Sequence, residues 1–395
     1  MSRWLVFLVG LSGFAHATWQ FDAVVDVVGG PPRFFHVESA GRKNIAISGD
    51  WVAVVYAEDD AGVSRCHLAL KKRGNPGFQA PLRLSGDGEC AEPTVQALGA
   101  GDFLLGWQEA DRVWLRQLRG GRLTPARLLA RVLATQVSLG FHAETGAFAA
   151  WSEHDGKAWR IRVAALDRHG RLRRSRFVDA VSAADQNYPS LAVLPENRLV
   201  VAWEDRRAGH TRLYYAVSRD AGRHFSTALP LNESDWPGQS LGFGRGTGVM
   251  RVALSPWAQG VAAVWADKRD FRSGYDVYAA FAPLPALRFG RNEKVQDPFG
   301  DNIAQWHPAI ATTGDGQVAV VWEDDRDGTP DIWLSWRTPQ GWSDDLAVPG
   351  ASGAGVQSDP SVAFDEAGNL HLVWLAKPDL NAPARLRYVS GRRLR

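Results

Sequence analysis

A short apolar strand that ends in an aromatic residue and is followed by acid recurs along the whole chain. The instances are Val52-Ala-Val-Val-Tyr56-Ala-Glu58, Phe103-Leu-Leu-Gly-Trp107-Gln-Glu109, Phe148-Ala-Ala-Trp151-Ser-Glu153 and Leu199-Val-Val-Ala-Trp203-Glu-Asp205. They continue as Val261-Ala-Ala-Val-Trp265-Ala-Asp267, Val318-Ala-Val-Val-Trp322-Glu-Asp324 and Leu370-His-Leu-Val-Trp374. The aromatics at 56 and 374 lie 318 residues apart, a mean spacing of 53, which leaves room for four short strands and their turns in each unit. Strands at that density, with no long helical pattern between them, predict the blades of an all-β, seven-bladed propeller.

Each unit resolves further. An inner strand often opens on proline, as at Pro93, Pro189, Pro308 and Pro360, where no ladder donor is lost. A third strand follows the aromatic one, clearest at Arg212-Leu-Tyr-Tyr, Asp276-Val-Tyr-Ala and Asp331-Ile-Trp-Leu. The seventh unit stops after its third strand, so the segment Phe21–Val28 is expected to supply the missing fourth and close the ring. Stacking of blade aromatics accounts for the 17 Trp, and 40 Gly with 21 Pro fit the many turns.

Ser2-Arg3, the apolar stretch from Trp4 to Phe14 and Ala15-His16-Ala17 have the form of a cleaved export signal over residues 1–17. Residues 18–395 are then expected to form a single propeller domain, periplasmic or secreted, with no membrane span. An oxidising compartment lets the only two cysteines, Cys66 and Cys90, pair. With 45 Lys and Arg against 43 Asp and Glu, a chain-wide basic nucleic-acid binder is excluded. Seven Arg between positions 160 and 176 on one outer hairpin form a possible polyanion patch or a solvated face. A monomer without cofactor is expected. Glu323-Asp-Asp-Arg-Asp-Gly328 is similar to the start of a calcium loop, but Leu334 stands where the bidentate acid belongs, so no metal is expected.

The third-to-fourth strand turn of the fourth unit reads Ser218-Arg-Asp220-Ala-Gly222-Arg-His-Phe225. It resembles the Asp-box of the sialidase-like (BNR repeat) propellers. That resemblance implies a carbohydrate-related propeller and gives Ser218, Asp220, Gly222 and Phe225 a structural role on the face away from the active site. Sialidases proper resemble six-bladed propellers with an Arg-Ile-Pro-type opening. Here seven units are counted, and Pro31-Pro-Arg33-Phe-Phe stands at the start. The expected function is binding of a glycan, an anionic small ligand or an envelope protein, with an exo-acting glycosidase as the alternative.

Three successive units carry Trp-x-Asp-x-Arg: Trp203, Asp205 and Arg207; Trp265, Asp267 and Arg269; Trp322, Asp324 and Arg326. Positions related by rotation around a ring point apart, which favours a repeated hairpin latch over one anion site. Residues that break the repeat carry more weight. At the channel mouth, alignment of the units places Arg42, Glu92, Gln136, Tyr188, Val249, His307 and Asp359. One step further in, Arg251 stands where the other units have Asn44, Thr94, Ser138, Ser190, Ala309 and Ser361. Arg251, with Tyr188, Trp236, Arg245 and His307, is therefore the expected ligand site, because long loops enter beside it. A glycosidase would draw its acid and base from Asp235, Asp301 and Glu204.

Overall fold

The computed structural model describes residues 19–179, 182–233, 248–269 and 274–394. The expected export signal, Asp235, Trp236 and Arg245 lie outside them. The described residues form seven antiparallel sheets around a central channel, with strands ordered from the axis outward as the chain runs. Blade 4 is typical: Gln186–Leu194 is innermost, then Arg198–Asp205, Arg212–Ser218 and the short outer Leu229–Pro230.

The second strand of each blade is an apolar run, interrupted in blade 7 by the buried His371, because neighbouring blades cover both of its faces. In blade 4, Val200 and Ala202 pack into the core shared with blade 5, while Leu199, Val201 and Trp203 pack into the core shared with blade 3. Period-two alternation therefore assigns the residues to two different interfaces. The six blade tryptophans from Trp107 to Trp374 and Tyr56 are all buried.

The seam closes as the missing fourth strand required. Trp19–Phe21 and Val25–Asp26 add to the last strand, Arg385–Arg393, pairing Trp19 with Arg393, Phe21 with Gly391 and Val25 with Tyr388. Gly391 has to be small: a Cβ there would stand 2.7 Å from the Phe21 ring. The Cys66–Cys90 disulfide ties the third strand of blade 1 to the inner strand of blade 2.

One device recurs in all seven blades. At or just before each inner strand, one non-glycine residue adopts left-handed backbone: Arg42, Glu92, Gln136, Tyr188, Arg251, His307 and Asp359, with φ between 48° and 60°. In blades 2 to 7 the inner-strand register shifts across this residue, as between Asn187 and Ser190 and between Met250 and Ala253. The blade-5 member of the ring is thus Arg251 and not Val249, and Ala253 holds the small position assigned to Arg251. Blade 5 has Val252 where blades 2, 4, 6 and 7 have proline, so it lacks the residue that marks the break in those blades.

The small positions latch one blade to the next. Ser138 Oγ accepts from the Leu191 N–H at 3.2 Å, Ser190 Oγ from Leu254 at 2.9 Å and Ser361 Oγ from Asn44 at 3.2 Å. In blade 1 the turn over Ser39–Arg42 dips into the channel. A Cβ on Gly41 would stand 2.7 Å from Ser190 Oγ on the far wall. Behind that turn Lys43 spans the channel, its ammonium donating to the Leu139 and Leu191 carbonyls at 2.8 and 2.7 Å. Burial pulls its pKa down to about 8. The turn and Lys43 floor the mouth above a cavity of about 190 Å³.

Candidate functional site

The left-handed ring projects seven side chains of six kinds around one mouth, and a bulge explains how each backbone is held. A left-handed residue leaves its N–H off the ladder, so a neighbour must accept it. Glu204, next to Trp203, takes the Arg251 N–H on Oε1 at 2.8 Å. Glu323, next to Trp322, takes the Asp359 N–H at 2.5 Å. Gln136 Oε1 takes the Tyr188 N–H at 2.8 Å and also accepts from Ser152 Oγ. Each acceptor comes from the preceding blade, so the ring is braced between blades.

Two halves of the mouth differ in chemistry. On one side, the Arg251 guanidinium lies 3.7 Å from the centre of the Tyr188 ring. Glu92 lies within electrostatic reach of Arg251, Arg42 and Glu38, yet its Oε2 is buried without a hydrogen-bond partner. Burial outweighs the pull of the arginines and pushes Glu92 up to about 7. Burial also raises the Tyr188 hydroxyl, opposed by Arg251 and reinforced by Glu92, Glu204 and Glu38. It raises Glu204 too, against the Arg251 N–H bond.

On the other side, His307 Nδ1 contacts Glu323 Oε1 at 2.5 Å and Asp359 Oδ1 at 3.4 Å. The buried Arg42 reaches the same Asp359 oxygen at 3.5 Å. Ligand atoms of Glu38, His307 and Asp359 lie within 4.8 Å of one another, a donor set a divalent cation can use, although Arg42 already supplies positive charge there. At the rim, Tyr275 and Trp306 pack with ring centres 4.8 Å apart and planes inclined at 47°, a pair of aromatic faces of the kind sugars stack on.

The structure therefore brings together Arg251, Tyr188, His307 and Glu204. Asp301 lies apart: its carboxylate is held at 2.5 Å by Lys294, on the outermost strand of blade 5. Glu38, Arg42, Glu92, Glu323 and Asp359 are mouth residues that the sequence argument did not place in the site. The signal was the aligned column itself, whose members are too varied to be structural filler.

The Trp-x-Asp-x-Arg units are latches. The indole N–H of Trp203, Trp265 and Trp322 donates to Asp205, Asp267 and Asp324, which are also bound by Arg207, Arg269 and Arg326. Each guanidinium covers a third-strand aromatic: Tyr214, Tyr278 or Trp333. The arrangement also divides the acidic run of blade 6, because Glu323 turns to the mouth and Asp324 to its indole, so the two do not face one cation. At the opposite end, Asp220 Oδ1 accepts from Ser218 Oγ and from the Arg223 and His224 N–H groups, and Gly222 N–H donates to Ser218 Oγ. Phe225 packs onto the core between blades 3 and 4.

No protein-family model and no curated protein sequence matches the chain. Solved structures do. A protein of unknown function from Dyadobacter fermentans is 12% identical, with a TM-score of 0.57 over 95% of this chain and 99% of that one. An α-L-arabinanase from Penicillium chrysogenum, solved with arabinobiose, is 10% identical, with a TM-score of 0.52 over 95% and 98%. The polysaccharide lyase Uly1 is 10% identical, with a TM-score of 0.56 over 91% and 90%. At these identities the likeness is one of fold, and it includes carbohydrate-active propellers.

Proposed function

We propose that this chain is an exported propeller, akin to the sialidase-like group, that takes the end of a glycan at the channel mouth. The observation that carries the proposal is the stacked Arg251–Tyr188 pair beside Glu92, at equivalent positions of one ring. Arg251 supplies a fork for a carboxylate or other anionic group on the sugar, and Tyr275 with Trp306 supplies a stacking surface. The Cys66–Cys90 disulfide supports export into an oxidising compartment, and the arabinanase and lyase neighbours support a carbohydrate ligand. The dipped turn and Lys43 block the channel behind the mouth, so a ligand there is held at the end of the channel and does not pass through it.

Glu92 favours a second reading, cleavage of the bound glycosidic bond. A carboxyl group that keeps its proton near neutral pH, among carboxylates held by cations, is the pairing that glycoside hydrolysis uses. Glu92 would protonate the leaving oxygen. A glycan array run beside a screen of fluorogenic glycosides separates the readings. Binding without product release supports the lectin-like function, whereas release that is lost in Glu92→Gln with binding retained supports the glycosidase. Wild-type protein that neither binds a glycan nor releases product overturns both.

A further inference from the structure

The end of the propeller opposite the mouth carries a second charged feature, and the two face away from each other along the inner strands. In blade 3 the inner strand runs from Ala134, beside the ring residue Gln136, to His142, and the turn at Thr145 follows. At that far end a groove between blades 3 and 4 encloses about 340 Å³, lined by Thr145, Arg173, Arg174, Asn197, Asp220 and Arg223. Arg173 and Arg174 come from the outer strand Leu172–Phe177 of blade 3, and Arg223 from the Asp220 turn of blade 4. The two blades are joined there by a hydrogen bond from Arg174 Nη2 to the Ala221 carbonyl.

Three guanidinium groups at one groove repel unless something neutralises them. The acids nearby are committed elsewhere. Asp220 serves its own turn and contacts His224 Nδ1 at 2.6 Å. Glu144 accepts from the Glu196 N–H, and Glu196 pairs with Arg198. Arg173, Arg174 and Arg223 make no ion pair among the described residues. Arg174 is half-buried, and its Nε–H is shut off from solvent without an acceptor. Burial, with the charges of Arg223 and Arg173, lowers its pKa even against the opposing charge of Asp220, as expected where cations outnumber the anions beside them.

We propose that this groove binds a sulfate or phosphate ester carried on a polysaccharide, with Arg174 at its base and Arg173 and Arg223 as the two rims. Guanidinium forks match such oxyanions bidentately, and the space holds one ester group with part of its sugar. A polysaccharide is favoured over a membrane surface because the lining offers no exposed apolar side chain to enter a bilayer: Ala147, Phe148 and Leu166 in the groove are buried. The site is separate from the mouth and does not depend on what the mouth binds.

The test is calorimetric titration of the intact protein with heparin, with its desulfated form and with inorganic sulfate and phosphate, at low and moderate salt. Heparin is expected to bind, and the desulfated form to lose at least ten-fold in affinity. Arg173→Ala/Arg223→Ala, two exposed residues without ion pairs, is expected to lose at least ten-fold with its melting temperature unchanged, and its salt dependence should flatten. Arg112→Ala/Arg122→Ala, which removes equal charge from exposed sites on blade 2, is expected to keep wild-type affinity. Equal losses in both double variants would reduce the effect to net charge and overturn the site. So would an absence of heparin binding, or binding to anionic phospholipid vesicles or duplex DNA that is stronger than to heparin.

Discussion

The guanidinium of Arg251 sits over the ring of Tyr188, 3.7 Å from its centre, and both residues hold left-handed backbone at equivalent points of neighbouring blades. The platform is thus built by symmetry: two adjacent copies of one bulge, each given a different side chain.

Removing the guanidinium should abolish recognition of an anionic glycan while sparing the fold. Arg251→Ala and Arg251→Gly are both expected to lose at least ten-fold in affinity on a glycan array follow-up titration. The two should differ in stability. At φ 59° a Cβ is unfavourable, so the glycine variant should be about 1 kcal/mol more stable than the alanine variant in chemical denaturation. Equal stability would show that the bulge is not strained.

Glu92 links stability to pH. Its pKa is about 7 in the fold against 4.5 in a solvated chain, so between those values the folded state holds more protons. Stability from this group therefore falls as pH rises through that window and is level above it. Glu92→Gln lacks the fall. Its advantage over wild type should be absent at pH 4 and approach about 3 kcal/mol at pH 8, measured by urea denaturation at both values.

Asp220→Ala should weaken folding and leave the mouth untouched. It strips the acceptor from two backbone N–H groups and from Ser218, a loss of about 1–3 kcal/mol. A variant with an unchanged melting temperature and impaired glycan binding would contradict the structural role of the turn.

Non-reduced protein should yield no alkylatable thiol, because Cys66 and Cys90 are joined. Reduction opens a loop with a sequence separation of 24 and should lower stability by about 3 kcal/mol in the loop-entropy account. The shift can be read as the change in denaturant midpoint with and without reductant.

The repeat was legible because the forces behind it are local and periodic. A strand covered on both faces must be continuously apolar, and an indole that caps a buried acid needs that acid two residues on, as Trp203 and Asp205 show. The site was legible only in part. Tyr188, His307 and Glu204 stand where the repeat puts them, but the weight given to Arg251 came from a register two residues out. Proline marks the bulge in four blades, and blade 5 has Val252 instead, so nothing local told the sequence where its ladder breaks. The importance of Glu92 was hidden for another reason: its proton affinity comes from burial by distant segments and from Glu38, against the pull of Arg251 and Arg42, none of which is near it in sequence.

The seam between Trp19–Phe21 and Arg385–Arg393 also orders events in time. Six blades can form as their strands leave the ribosome, since each is contiguous in the chain. The seventh has no outer strand until Gly391 and Arg393 exist to receive Phe21 and Trp19. A growing chain is therefore an open arc with its first strand unclaimed. Closure of the ring becomes the last step of folding, because it waits for the final residues of the last strand.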